Sequence, residues 1–379
     1  MSEKKYFCYE IHKNLSIWSR NGNITYNPCS FYNGSYTTSN SVDIAKGWNS
    51  LGRQQVIEVI DQNQQVAGCN SCYQAEKNGL QSRRLGSKLA YEQWHQNTDI
   101  NLSGPQGLDY SVGNLCNLKC VICGPSNSSQ WIPDYQKLYP EHNIDYLKYQ
   151  KNNQLEINDD DLLKNIISVH FHGGGEPLLS DVHVNLLKRI KAIKGLSDVR
   201  IFYNTNGTVT VPDDVLKLWE ECRLVELYFS IDDVGDRFEY QRTGAKWNQT
   251  VDNLKWYTDN MPHNHMFNVN CVWSYLNLFY LNELVDWHQT RFSSNRYNDP
   301  TNLIFQKAIG FYSIDHLSTV LYNKLEQKFQ NYPQLLELIH ALNINNQPHD
   351  KFWKHINRLD QIRNVQFRTV CPEWSNLIS

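Results

Sequence analysis

The sequence predicts an α/β protein built on a partial (β/α)6 barrel, with a small N-terminal domain and C-terminal helices. Strand-like apolar runs alternate with helical segments between residues 108 and 309, which is the pattern of a parallel sheet. Short polar motifs follow several of these runs, as they do at the carboxyl ends of barrel strands. A breaker-rich stretch over residues 101–107 indicates a boundary. We therefore divide the chain into residues 1–100, 101–310 and 311–379.

Composition narrows the classes of function. The chain has 379 residues, of which 40% are hydrophobic, enough for a packed core. A net charge of −3 does not favour a nucleic-acid groove, which is usually basic. No apolar run approaches the roughly 20 residues of a membrane span, and the N-terminus lacks the apolar core of a signal peptide. We expect a cytoplasmic protein whose ten cysteines serve metal ligation more than disulfides.

The N-terminal region contains four cysteines, Cys8, Cys29, Cys69 and Cys72. Alternating apolar residues on both sides of an Asn-Gly pair at 21–22 predict a β-hairpin, whose ends would bring Cys8 and Cys29 together. The Cys69–Cys72 pair precedes a helix-like run with a break, and helix N-termini favour thiolates. Four thiolates can close one metal site completely, and both iron–sulfur clusters and zinc accept such a set.

A second set of cysteines follows the first predicted barrel strand, residues 108–112. Cys116, Cys120 and Cys123 are spaced C-x3-C-x2-C within one loop. Closely spaced thiolates of this kind hold iron–sulfur clusters. Three thiolates would leave one iron of a cubane [4Fe–4S] cluster open for a small chelating ligand, as a catalytic centre requires. A zinc knuckle or three unrelated buried thiols are the alternatives.

The elements after this loop alternate regularly. In order, we predict a helix-containing insertion (131–161), a strand (166–171), a helix (181–194), a strand (199–203), a helix (212–222), a strand (225–233), a helix (247–260) and strands at 267–273 and 303–309. The strand at 166–171 leads into a Gly-Gly-Gly-Glu motif at 173–176. Glycines allow close backbone approach to a ligand, and the Glu176 carboxylate can accept from an ammonium group.

The C-x3-C-x2-C loop, with Ile122 before its last cysteine and a Gly-Gly-Glu motif at the next strand end, resembles the radical SAM family. The resemblance implies that Cys116, Cys120 and Cys123 hold a [4Fe–4S] cluster. The open iron would chelate S-adenosylmethionine (SAM), which is cleaved to a 5′-deoxyadenosyl radical. An electron donor such as flavodoxin or ferredoxin is implied as a partner.

The same resemblance implies a set of cofactor contacts along the strand ends. These residues are Gly174, Gly175, Glu176, Asn206, Ser230, Asp232, Arg242 and Asn277. The two glycines and Glu176 would contact the methionyl amino group, and Arg242 would pair with the SAM carboxylate. Ser230 and Asp232, two apart on a predicted strand, would point to one face.

The hairpin, the Gly22-to-Cys29 spacing and the C-x2-C pair resemble the twitch domain, a half-length SPASM domain that binds an auxiliary [4Fe–4S] cluster. In SPASM enzymes that domain usually follows the barrel, whereas here it precedes it. A structural zinc site on the same four thiols is the alternative. In enzymes with such domains the substrate is often a peptide. Alternatives are a nucleotide, sugar or small-metabolite substrate, or a non-catalytic iron–sulfur or zinc-binding protein.

The C-terminal region is predicted to be helical. Amphipathic segments at 316–342 and 352–365 would cover the open edge of the barrel. Three isolated cysteines, Cys222, Cys271 and Cys371, are expected to be buried core thiols.

Overall fold

The computed structural model describes residues 5–20, 23–77, 82–94, 103–111, 113–144, 160–292, 302–308, 310–345 and 350–378. Over these residues the fold is mixed α/β and is organised by one nine-stranded sheet. In chain order the strands are β1 (Asn14–Arg20), β2 (Asn23–Asn27), β3 (Thr37–Ser39), β4 (Gly107–Tyr110), β5 (Ser168–Phe171), β6 (Arg200–Thr205), β7 (Leu224–Ser230), β8 (His265–Trp273) and β9 (Asn302–Lys307).

The spatial order of the strands is β3-β2-β1-β4-β5-β6-β7-β8-β9. Neighbours from β4 to β9 all pair in parallel. Each of the six predicted barrel strands coincides with one of these strands to within a few residues. Residues 112 and 309, at the ends of two predicted strands, lie outside the described residues. The parallel α/β sheet predicted from the alternation of elements is therefore confirmed.

Each predicted helical segment contains a helix, and several further helices lie outside the predicted segments. The helices are α1 (Tyr9–Lys13), α2 (Ile44–Trp48), α3 (Leu51–Asp61), α4 (Asn70–Lys77), α5 (Arg83–Trp94), α6 (Ile132–Leu138), α7 (Asp160–Leu163), α8 (Asp181–Lys194), α9 (Asp213–Glu220), α10 (Gly235–Gln241), α11 (Trp247–Asn260), α12 (Leu281–Phe292), α13 (Thr319–Lys328), α14 (Pro333–His340), α15 (Asp350–Arg363), α16 (Phe367–Val370) and α17 (Pro372–Leu377). Part of the predicted insertion, residues 145–159, lies outside the described residues. No helix in the described part of the chain is long and apolar enough to cross a bilayer.

The two faces of the sheet differ in chemistry. Side chains such as Val169, Ile201 and Leu227 are fully buried on one face, in the main hydrophobic core. On the alternate positions, polar side chains such as His170 and Asn204 line a cavity. This period of two follows from the pleat of a strand. It separates a face that stabilises the fold from a face available for chemistry.

The N-terminal hairpin is part of the same sheet. β1 and β2 form the predicted antiparallel hairpin, although its turn residues, 21 and 22, lie outside the described part. β1 also pairs in parallel with β4, with Leu15 opposite Leu108. Both side chains are fully buried, and this burial stabilises the junction. The N-terminal region is thus joined to the parallel strands through main-chain hydrogen bonds, while its boundary near residue 100 stays a prediction.

The C-terminal helices pack beside the cysteine loop. The predicted segment 316–342 contains α13 and α14, flanked by a small parallel sheet of β10 (His316–Leu317) and β11 (Asn343–Ile344). From α15, Arg363 forms an ion pair of 2.8 Å with Asp134 on α6. Tyr312 donates a hydrogen bond of 2.7 Å to the Val121 carbonyl within the cysteine loop. The C-terminal region therefore supports the loop directly.

Candidate functional site

The cysteine loop lies at the carboxyl end of β4 and is held by its main chain. The Lys119 amide donates to the Thr243 carbonyl at 2.9 Å, and the Val121 amide donates to Gln241 at 2.7 Å. Leu118 and Val121 anchor the loop in the core. Cys116, Cys120 and Cys123, by contrast, are partly buried and form no disulfide. The loop is rigidly attached while its three thiols stay available as ligands.

The glycine loop after β5 docks onto the cysteine loop. The Gly175 amide donates to the Asn127 carbonyl at 2.8 Å, and the Glu176 amide donates to the Leu115 carbonyl at 2.7 Å. Gly174 and Gly175 have φ values of +121° and +70°, which L side chains rarely adopt. A Cβ on Gly175 would lie 2.7 Å from the Leu115 oxygen. Glycine is thus required for the two loops to meet, whatever else binds there.

Glu176 joins the glycine loop to the end of β6. Its buried carboxylate accepts hydrogen bonds from the Asn206 amide at 2.7 Å, the Thr205 hydroxyl at 2.9 Å and the Leu178 amide at 3.2 Å. A carboxylate has about four acceptor positions, so capacity for a further donor remains. Burial raises the pKa of Glu176 to about 7, although the three donors oppose that shift.

Asn206 reaches the first cysteine of the loop. Its amide nitrogen donates to the Asn117 side chain at 2.9 Å and lies 3.9 Å from the Cys116 sulfur. Its side-chain oxygen accepts from the Thr208 amide, which fixes the orientation of the amide group. The end of β6 therefore lies against the cysteine loop.

Arg242 is the cation of the site. It follows the last residue of α10, and its guanidinium forms an ion pair of 2.8 Å with Asp232. Another guanidinium nitrogen lies 3.9 Å from the Cys120 sulfur. Burial raises the pKa of Cys120, and the charge of Arg242 opposes that rise. Because Asp232 already binds Arg242, the two predicted contacts act in this structure as one buried ion pair behind the cysteines.

Ser230 and Asp232 do not belong to one strand. β7 ends at Ser230, where its register partner on β8 is Asn270, and Asp232 lies two residues beyond the strand end. Asn277 is fully buried and donates to the Asp232 carbonyl at 2.7 Å, while its own oxygen accepts from the Ser274 amide. Its amide is thus used to hold the loop that carries Asp232.

The thiols of the cysteine loop fit a charged metal centre. Burial raises the pKa of Cys116 to about 11 and that of Cys123 to about 12. A thiolate, not a thiol, is the metal ligand, so ligation would release protons and requires a cation to offset the buried charge. The guanidinium of Arg242 and the amide of Asn206 also face the sulfurs. The donor set therefore suits an iron–sulfur cluster with three protein ligands.

The four N-terminal cysteines line one cavity. Cys8 precedes α1, Cys29 follows β2, and Cys69 and Cys72 lie on both sides of the start of α4. None forms a disulfide. Burial raises the pKa of Cys8 to about 12 and that of Cys69 to about 11. The hairpin and the C-x2-C turn thus bring their thiols to a shared space, as the sequence predicted.

Two arginines line the same N-terminal cavity. Arg84 pairs with Glu76, and Arg83 forms ion pairs with Asp109 at 2.9 Å and Glu10 at 3.4 Å. Burial and the charge of Glu10 raise the pKa of Cys29, and the charge of Arg83 opposes that rise. Two guanidinium groups, each paired with a carboxylate, therefore stand beside the four thiols.

A larger cavity lies between the N-terminal region and the polar face of the sheet. It holds about 1360 Å³ of space, its open mouth included. Its lining includes Arg83, Asp109, His170, Arg200 and Asn270. None of these was predicted as a site residue from the sequence. The available signal was polar side chains at alternate positions of strands that otherwise consist of apolar residues.

The central part of the chain is similar to known proteins. Residues 110–272 match the Radical SAM superfamily. A GTP 3′,8-cyclase of Lactiplantibacillus plantarum is 28% identical over 145 residues, which are 38% of this chain and 39% of that protein. The chain thus spans about two fifths of the length of the curated relatives it matches.

Solved structures with SAM show a weaker likeness. Native anSMEcpe with bound AdoMet is 16% identical, with a TM-score of 0.41 and 63% of each chain covered. SuiB of Streptococcus suis bound to S-adenosylmethionine is 14% identical, with a TM-score of 0.37 and coverage of 70% of this chain and 51% of SuiB. Since neither TM-score reaches 0.5, the assignment depends on the sequence match and the motifs. The family that residues 110–272 match uses a [4Fe–4S] cluster and SAM.

Proposed function

We propose that the protein is a radical SAM enzyme whose catalytic cluster is held by Cys116, Cys120 and Cys123. The observation that carries this proposal is the docking of the cysteine loop onto the glycine loop at the carboxyl ends of β4 and β5. This docking puts three thiols next to a buried carboxylate, Glu176, at the edge of a parallel sheet where active sites form. Strands β4 to β9 would curve as a partial barrel around the cavity.

Each group in the site has a role in this proposal. The three thiolates would bind three irons of the cluster and leave the fourth open. Glu176, with acceptor capacity left, would take the SAM ammonium. Asn206 and Arg242 would stabilise the charge on the sulfurs of Cys116 and Cys120, which they already face. When bound, the cluster and SAM supply a 5′-deoxyadenosyl radical that can take a hydrogen atom from a substrate.

We further propose an auxiliary [4Fe–4S] cluster on Cys8, Cys29, Cys69 and Cys72. Their common cavity supports a metal–thiolate centre there. Zinc with four thiolates would carry the same net charge as an oxidised cubane with four thiolates, so charge alone does not choose between them. The resemblance to the twitch domain favours iron.

For the substrate we propose a peptide that enters the large cavity. Amide side chains such as Asn204, Asn270 and Gln306 line it and suit the donors and acceptors of a peptide backbone. Modification of a nucleotide is the second candidate, favoured by the relatives named GTP 3′,8-cyclase. The cavity's arginines argue against a free polyphosphate, since Arg83 and Arg200 are paired with Asp109 and Glu226.

The experiment that tests the cofactor assignment is reductive SAM cleavage by anaerobically reconstituted protein with dithionite. We expect 5′-deoxyadenosine from the wild type and none from Cys120→Ala. Cys222→Ala is the matched control, because Cys222 is a buried thiol that donates to the Leu218 carbonyl away from the loop. Unchanged turnover in Cys120→Ala would overturn the proposal. Mass shifts after incubation with a peptide pool or with GTP would then separate the two substrate classes.

A further inference from the structure

Three metal-ligating side chains meet at the edge of the large cavity, outside both cysteine sites. Asp109 lies on β4, His170 lies on β5, and His172 directly follows β5. Asp109 and His170 are register partners in the parallel pair, and His172 is two residues beyond His170 on the same face. One ligand atom from each residue lies within 4.8 Å of the other two.

The distances between the ligand atoms of these residues are close to those between ligands that share one metal ion. His170 Nδ1 lies 3.7 Å from one Asp109 oxygen, and His172 Nε2 lies 3.9 Å from the other. Both distances exceed those of protein hydrogen bonds. Two ligand atoms at about 2.1 Å from a tetrahedral ion would lie roughly 3.4 Å apart. Small side-chain adjustments would therefore bring both imidazoles and the carboxylate to one centre.

Each of the two histidines has a buried ring nitrogen, Nε2, without a hydrogen-bond partner in the part of the chain that the structure describes. His172 is 5% exposed, and its buried Nε2, which faces Asp109, has no hydrogen-bond partner among the residues that the structure describes. Such an unpaired buried group costs about 1–3 kcal/mol.

The surrounding residues hold the three groups in place. Arg83 donates to both Asp109 oxygens, at 2.9 and 3.2 Å, as outer partners of ligating carboxylates do. Glu10 pairs with the same guanidinium, which offsets its charge. The Trp18 ring packs edge-on against His172 at 4.9 Å. A carboxylate with two donors keeps acceptor positions for an ion.

We propose that Asp109, His170 and His172 bind a divalent transition metal through two imidazoles and one carboxylate. This ligand type suits Fe²⁺, Mn²⁺ or Zn²⁺ and leaves coordination positions open. His170 and the amide-rich lining of the cavity are adjacent, so a substrate oxygen or nitrogen in the cavity could occupy an open position. The ion would be a third inorganic centre, separate from both sets of cysteines.

The test uses the reconstituted holoprotein with oxidised clusters and without SAM or reductant. Oxidised [4Fe–4S] clusters have no EPR signal, so added Mn²⁺ is observed directly through the loss of its free six-line spectrum. We expect one Mn²⁺ per chain in the wild type. In His170→Gln and His172→Gln the affinity should fall more than about a hundredfold, because loss of an outer partner alone costs roughly ten- to a hundredfold.

His183→Gln is the matched control. His183 is a buried histidine whose Nδ1 hydrogen-bonds the Tyr203 hydroxyl at 2.9 Å, on the opposite face of the sheet. Its Mn²⁺ affinity should equal that of the wild type, and iron content should be the same in all three variants. Equal binding in His170→Gln and His172→Gln would overturn the proposal, as would weak binding at several sites in the wild type. Because no SAM turnover is measured, failure of the proposed activity would not produce either result.

Discussion

The two cysteine sites are built in opposite ways. The cysteine loop takes its three thiols from one segment, residues 116–123, which main-chain hydrogen bonds hold at the end of a strand. The N-terminal site takes four thiols from separate elements between residues 8 and 72. Three thiolates leave a metal cluster with an open corner, and four close it. A group of three thiols can therefore be local in sequence, whereas the group of four depends on the fold that brings its separate elements together.

The neighbouring charges also differ. At the cysteine loop, the buried pair Arg242–Asp232 stands behind the thiols, and the buried carboxylate of Glu176 faces the loop with acceptor capacity left. At the N-terminal site, Glu76 is already bound by Arg84 and by the Ser82 hydroxyl. Glu76 is thus neutralised by a bound guanidinium, whereas the three donors to Glu176 are two main-chain amides and a hydroxyl, none of them charged.

The largest expected effect comes from removing the closed site. Replacement of Cys8, Cys29, Cys69 and Cys72 by Ala should lower the iron content from about eight to about four per chain, since each cubane holds four. SAM cleavage should persist at least in part, because the cysteine loop is untouched. Iron analysis and chromatography of 5′-deoxyadenosine measure the two outcomes.

Cys371→Ala serves as the control for that variant, since its buried thiol faces the Leu276 carbonyl and should not affect iron. A wild-type content of about four irons and one zinc would instead identify the N-terminal site as a structural zinc site.

A smaller effect is expected from the carboxylate at the open site. Glu176→Gln removes the charge that would pair with the SAM ammonium, and a hydrogen bond to a charged group contributes about 1.5–3 kcal/mol. SAM affinity should fall roughly tenfold to a hundredfold in equilibrium dialysis with the holoprotein. Glu76→Gln, the matched change at the closed site, should leave SAM affinity unchanged. Equal affinities in wild type and Glu176→Gln would remove Glu176 from the SAM site.

The smallest effect is a difference in pH dependence between the same two carboxylates. Burial raises the pKa of Glu176 to about 7, so the folded protein binds an extra proton between pH 4.5 and 7. Its ionisation therefore destabilises the fold as pH rises, by about 1.5 kcal/mol between pH 5.5 and 7. Burial acts to raise the pKa of Glu76 too, but hydrogen bonds from Arg84 and Ser82 outweigh it and hold the pKa below its usual value.

Thermal midpoints of the SAM-free holoprotein under argon check this difference. Between pH 5.5 and 7, the thermal midpoint of the wild type should fall by a few degrees relative to that of Glu176→Gln, because the glutamine side chain cannot ionise. The thermal midpoint of Glu76→Gln should change with pH as that of the wild type does, because Glu76 is ionised throughout that range. A constant gap between wild type and Glu176→Gln would show that the carboxyl does not titrate near neutrality.

Much of the fold and the first site could be predicted because their signals are local. Strand and helix periods are determined by neighbouring residues, so β4 to β9 and helices such as α8 and α11 fall where the pattern predicted. The C-x3-C-x2-C spacing and the Gly-Gly-Gly-Glu motif each lie within a few residues. Parallel strands place their carboxyl ends at one edge, so the meeting of these two motifs followed from the strand order.

The roles of individual strand-end residues needed the tertiary structure. Asn277 and Arg242 were predicted as cofactor contacts, but their partners, the Asp232 carbonyl and the Asp232 carboxylate, come from another element. Which donor reaches which acceptor depends on loop conformations beyond the strand ends, and no local pattern specifies these. The predicted strand through Asp232 was too long for the same reason, since β7 ends at Ser230.

The sequence by itself therefore determined the order of the parallel strands and singled out two groups of cysteines as candidate ligands, because these depend on residue type and short spacing. Only the tertiary structure decided that β1 pairs with β4, that Arg83 reaches Asp109 from the N-terminal region, and that Asp109 meets His170 and His172. Residues 83, 109 and 170 are far apart along the chain. Their contact depends on the parallel register of the strands. It also depends on the burial of apolar side chains on the opposite face of the sheet, which leaves the polar side chains facing the cavity.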